Sequence, residues 1–123
     1  MLIHVRTAPV FLAFSAVLVP AAARAQEPSA AQVREEIDFA RGLAEEWGFV
    51  DIAEEVISRV GKQKLSDSLR EELGLLQCEV YFIAGKSDAA RRDELLQRSL
   101  SCYEDFVARN AYSEFKDDAE AAL

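Results

Sequence analysis

The chain has 123 residues, with 14 lysines and arginines against 22 acids and half of its residues hydrophobic. A net charge of −8, with no basic cluster to offset it locally, disfavours phosphate backbones and anionic lipid surfaces as partners. The single histidine, His4, falls in a segment expected to be removed, which leaves no imidazole for Ser-His-Asp or Cys-His catalysis or for the common histidine-containing zinc sites.

That segment, residues 1–25, reads as an export signal. Arg6 and the amino terminus supply positive charge, the apolar run APVFLAFSAVLV follows from Ala8 to Val19, and Pro20 breaks it. Ala23-Arg24-Ala25 gives the small-x-small pattern of a signal-peptidase site, so cleavage is expected between Ala25 and Gln26. As a helix, the apolar run would span roughly 18 Å, short of a bilayer core of about 30 Å. The expectation is therefore an exported protein, periplasmic or secreted, with no direct membrane binding after cleavage. Removal of 25 residues leaves 98, enough for one small domain. Loss of Arg6 and Arg24 leaves 12 cations against 22 acids, a net charge of −10.

Residues 26–32, beginning QEPSA, suit a short polar arm leading to a helix. Val33, Ile37, Ala40, Ala44 and Trp47 then recur at spacings of 4, 3, 4 and 3, one face of an α-helix widened by Phe39 and Leu43. Gly48 is expected to end it in the left-handed conformation. Asp51 and Glu54 have the spacing of a capping box, which predicts a second helix over about 52–60 with Ala53, Val56, Ile57 and Val60 inward and Gly61 closing it. The short connection predicts an antiparallel hairpin, 33–60.

A third helix is expected over about 67–84, capped by Ser66 or Ser68, with Leu69, Leu73, Leu76, Val80 and Ile83 as its stripe and Gly85 as its stop. A fourth, about 89–109, would bury Leu96, Leu100, Tyr103 and Val107, with Leu95 and Phe106 alongside and Asn110 as a left-handed terminator. These two form a second hairpin, 67–109. Ser113 would cap the start of a further helix, 114–123, with Phe115, Ala119, Ala122 and Leu123 on its apolar face. The fold class expected is all-α.

At the repeat level the residues resemble tetratricopeptide repeats, helix-turn-helix units of about 34 residues that stack into a solenoid. Gly48, Ala53, Ile57 and Val60 match the glycine, small, large apolar and closing positions of one unit. In the next, Leu73-Gly74 resembles the Leu-Gly pair of a first helix, and Ser99, Tyr103 and Phe106 fall at the small, aromatic and closing positions of a second. SCYEDFVARNAYSEFKDDAEAAL looks like the repeat junctions of bacterial envelope proteins of this family, although the usual proline of that turn is absent. The resemblance covers about 33–123. It implies stacked hairpins, no enzymatic activity, no cofactor, and a role as a protein-protein interaction module.

The acidic doublets Glu35-Glu36, Glu45-Glu46, Glu54-Glu55, Glu71-Glu72 and Asp117-Asp118 read as a solvated face, since adjacent helical residues point about 100° apart. Helical ion pairs are expected for Glu55 with Arg59, Glu94 with Arg98 and Asp105 with Arg109. Cys78 and Cys102 lie at similar heights on neighbouring predicted helices, where either a disulfide or two buried thiols would fit an exported chain. Trp47, Phe39, Phe49 and Tyr81 are expected to pack in the core or between repeats, with the edge of Trp47, Glu55 and Arg59 as the contacts left for a partner. That partner is expected to be a protein or peptide, preferably basic. The alternative is a structural role, as the N-terminal fragment or capping section of a longer repeat protein or as a homodimerising helical domain.

Overall fold

A computed structural model describes residues 27–123; the predicted export signal lies outside them. Five helices and no strand are found among the described residues. Helix α1, Ala30–Glu45, starts earlier than expected, inside the supposed arm. Ser29 is its cap: its hydroxyl accepts from the Gln32 amide at 3.2 Å, and its own amide donates to the Gln32 side chain at 2.8 Å. This reciprocal pair satisfies two otherwise orphaned N–H groups. Val33, Ile37, Ala40 and Ala44 are the buried face, as their spacing predicts.

Helix α1 stops at Glu45, before the face can reach Trp47. Gly48 takes a φ of +67°, a conformation that side chains disfavour, and the Phe49 amide turns back to the Leu43 carbonyl at 2.8 Å. Helix α2, Val50–Gly61, follows at once. Because Val50 is already helical, Asp51 sits inside the first turn and the predicted Asp51–Glu54 capping box does not form; the cap residue is Phe49, with no side-chain bond. Asp51 still stands favourably near the positive end of the helix dipole. Ala53, Val56, Ile57 and Val60 are buried against α1.

Helix α3, Asp67–Ser87, is capped by the Ser66 hydroxyl, which accepts from the Leu69 amide at 3.3 Å. It runs through Gly85, which is buried inside the helix and does not stop it. A Cβ there would lie 2.8 Å from Leu96 Cδ2 and 3.2 Å from the Leu96 backbone nitrogen, so this glycine sets how closely the next helix approaches. Asp88 closes the turn by accepting from the amides of Ala90 and Arg91, which delays α4, Arg92–Arg109, past the expected start. The buried face of α4 is Leu95, Ser99, Tyr103 and Phe106, while Leu100 is exposed and Leu96 and Val107 are half-buried. The face is turned from the predicted one because Ser99 Oγ donates to the Cys78 carbonyl at 3.0 Å and Cys102 is bonded to Cys78, with their Cα atoms 5.3 Å apart.

Asn110 is not left-handed; at φ −119° it ends α4 by donating from its side chain to the Phe106 carbonyl at 2.9 Å. Ser113 does not cap a helix. It accepts from the Phe115 amide and donates to Glu71 at 2.6 Å, tying the connection to α3. Only Lys116–Ala121 is helical thereafter, as α5, with Ala119 buried and both Ala122 and Leu123 exposed.

Two antiparallel hairpins, α1–α2 and α3–α4, therefore stack, with α3 packed on both helices of the first. Arg34 reaches Glu72 at 3.9 Å and Arg41 reaches Glu79 at 3.6 Å. Both acids lie 38 positions after their arginines, so α3 runs parallel to α1 in a constant register. Among the described residues there are two apolar clusters. The larger combines α1, α2 and one face of α3, including Ile37, Val60, Leu76 and Val80; the smaller combines Leu75 and Cys78 of α3 with Tyr103, Phe106 and Ala119.

Candidate binding groove

The constant register of α1 and α3 leaves a recess at the end where both helices finish. Ala44, Glu45 and Gly48 form one wall, and Glu79, Phe82, Ile83, Lys86 and Ser87 of α3 form the other. Tyr103 reaches in from α4, and the space measures about 600 Å³. Its chemistry centres on Glu79. The Oε2 atom is buried without a hydrogen bond, and Arg41 Nε at 3.6 Å is too distant to supply one. Arg41 makes its close contact elsewhere, donating to Asp38 at 3.0 Å.

Burial pushes the Glu79 carboxyl above its ordinary value; the Arg41 charge opposes this, while Glu45 and, more weakly, Asp118 on α5 reinforce it. Tyr103 is pushed up to about 12, first by burial and then by the Glu79 charge, so its phenol stays neutral. At the rim, Lys86 Nζ stands 4.6 Å from the centre of the Phe82 ring.

The raised Glu79 value carries a stability consequence. Below its unfolded value near 4.5, Glu79 is protonated in both states and its charge carries no penalty. As pH rises from there through the higher folded value, the folded state holds the proton longer than the unfolded state, and the ionised group begins to cost stability. Glu79→Gln is therefore expected to flatten this part of the stability profile, making the variant gain on the parent between pH 5 and 7. Thermal unfolding at both pH values measures it; a constant difference between the two proteins would refute the assignment. Arg41, Glu45 and Asp118 are the charged groups acting on Glu79 in this window.

A second recess, of about 540 Å³, lies between α3 and α4, with the Cys78–Cys102 bridge in its wall and Asp67, Arg70, Glu71, Asp105 and Arg109 around it. Its charges are of both signs and it has no comparable acceptor. Among the described residues, no cluster of histidine, cysteine and carboxylate side chains is arranged to hold a metal ion, and no helix is long and apolar enough to cross a membrane.

The predicted partner contacts do not converge. Trp47, 67% exposed, stacks on Phe49 at the α1–α2 corner with ring centres 6.3 Å apart, whereas Arg59 lies near the far end of α2, about 13 Å along its axis from Val50. Arg59 pairs with Glu36 at 3.1 Å across the hairpin and not with Glu55, which is exposed. Of the predicted helical ion pairs, Glu94 with Arg98 forms at 3.1 Å, and no Asp105–Arg109 pair is present among the described residues. Phe39, Trp47 and Phe49 are at least half exposed, so the core role expected for them is wrong; α1 ends too soon for Trp47, and Phe39 lies off its buried stripe.

Ala53, Ile57, Val60, Ser99, Tyr103 and Phe106 are buried, and Gly48 makes the turn. Arg41 and Glu79 were not foreseen as a site. Their signal was present in the run LLQCEVYF, where Glu79 is the one charged residue among mostly apolar neighbours. No protein-family model, curated protein or solved structure matches the chain.

Proposed function

We propose that the chain is an exported, tetratricopeptide-like scaffold that acts by holding another protein against the α1–α3 groove, without enzymatic activity. The observation that carries this reading is the open recess with a half-buried carboxylate lacking a hydrogen bond, next to exposed aromatic residues at the same end of the stack. Phe82 lines the recess, and Trp47 and Phe49 flank it on the two sides of Gly48. Large exposed aromatic side chains held on a rigid corner bind a partner at low ordering cost. The parallel, 38-residue register of α1 and α3 supports a repeat arrangement, and the acidic surface favours a basic partner. Residues 1–25 support export.

The test is an envelope extract passed over the immobilised chain, followed by calorimetry with each purified candidate. Saturable binding that weakens in Trp47→Ala and Phe82→Ala is the expected result. Binding that is indifferent to both substitutions would remove the groove from the mechanism.

A further inference from the structure

We propose that the outer face of the α1–α2 hairpin, turned away from α3, docks a basic amphipathic helix of another protein along the seam between Phe39 and Ile52. This goes beyond the reading above, because it concerns the side of α1 opposite the α1–α3 groove and does not depend on that groove. Residues two apart on a helix point about 200° apart. Phe39 therefore points away from Arg41, and Glu36 away from Arg34, the two arginines that reach α3. The Arg59–Glu36 bond at 3.1 Å joins the hairpin on this outer side and fixes its register. From that bond, one turn along α1 leads to Phe39 and two turns lead to Leu43. One turn back along the antiparallel α2 leads to Glu55 and two turns lead to Ile52. Phe39 and Ile52 are 59% and 48% exposed, and Leu43 between them is half-buried. Beside Phe39 a recess of about 430 Å³ opens, lined also by Pro28, Gln32, Glu35 and Glu36. The face is thus a continuous apolar seam with no helix on it among the described residues.

The other side of the same hairpin shows what such a seam takes. There α3 packs on both helices, with Leu69, Leu73, Leu76 and Val80 in the shared core. Its charges are matched as well, Arg34 and Arg41 of α1 standing against Glu72 and Glu79 of α3. On the outer side the sign is reversed. Glu35 and Glu55 are exposed and take part in none of the ion pairs found among the described residues, while Arg59 is already bonded to Glu36. The complement of this face is a helix with an apolar stripe for the seam and lysines or arginines on its flanks. A second copy of the chain fits it poorly, since it would bring the same acids and a net charge of −8 against it.

Three designed peptides of about 18 residues test the proposal. One carries a leucine stripe at helical spacing flanked by lysines, the second replaces every lysine by glutamate, and the third scrambles the first to keep its charge and break its stripe. Each is titrated into the isotopically labelled full chain and followed by amide NMR shifts. The first is expected to shift Gln32, Phe39, Leu43, Ile52 and Glu55 saturably and to bind about tenfold more tightly than either control. Phe39→Ala and Ile52→Ala, both at exposed positions outside the core, should each weaken it about tenfold with the circular dichroism of the chain unchanged. Equal binding of the scrambled peptide, shifts centred on α3 and α4, no saturation by about 1 mM, or indifference to both substitutions overturns the proposal. Sedimentation showing a dimer that Phe39→Ala dissociates would give the face to a second copy and overturn it too. Phe82→Ala should leave peptide docking unchanged, so failure of this face and failure of the α1–α3 groove are read from different variants.

Discussion

Replacing Cys78 and Cys102 together by alanine is expected to lower stability by about 3.5 kcal/mol, from the chain entropy returned to the unfolded state when a bridge of this span is lost. The two residues are 24 positions apart. For a domain of this size the loss corresponds to a fall in Tm of about 15 °C. Thermal unfolding followed by circular dichroism measures it, and reduction of the parent by a dithiol should reproduce the shift. The effect should also be local in character. Cys78 belongs to the smaller apolar cluster, which holds α4 and α5 on α3 with few other large side chains. Hydrogen exchange should accelerate in α4 before it does in α1 and α2. Uniform acceleration across all helices would show that the two clusters unfold as one.

Leu76→Ala should cost about 3 kcal/mol, the range for removing a fully buried leucine whose surroundings cannot collapse into the gap. Leu76 is completely buried in the larger cluster, where helices α1, α2 and α3 meet. Phe82→Ala on the same helix removes a larger side chain, yet Phe82 is 45% exposed and the cost should stay below about 1 kcal/mol. Chemical denaturation of the two variants checks both values. A similar loss in each would mean that the Phe82 edge is covered, contrary to the groove described above.

The contrast between these residues also explains how much could be read from the sequence. Val33, Ile37, Ala40 and Ala44 were legible because each alternative face of α1 carries charge. In α4 the pattern was ambiguous, since leucines stand on two neighbouring faces at 95, 96 and 100. The choice was made by a serine-to-carbonyl bond and a disulfide, long-range contacts that periodicity does not encode. Gly85 looked like a stop for the same reason: its role is visible only when Leu96 is placed against it. The Asp51–Glu54 spacing suits a cap, but the tight turn at Gly48 starts the helix two residues too early for it. The groove was the least legible feature, because Glu45 and Glu79 are 34 residues apart and meet only through the parallel register of their helices. Trp47 departs from its periodicity in the opposite direction, turning outward at the corner, since hydrophobic character alone does not say whether a residue there faces in or out.

Helix α3 gives Leu69, Leu73, Leu76 and Val80 to one apolar cluster and Leu75 and Cys78 to the other. The consequence concerns the order in which the chain folds. Neither hairpin can finish its own core before α3 is in place, because the α1–α2 pair leaves Ala44, Val56 and Val60 waiting for it and the α4–α5 segment has no other helix to lie on. Formation of α3 is thus a shared step, and substitutions on it should slow folding, whereas those on the outer side of α1 should mainly quicken unfolding.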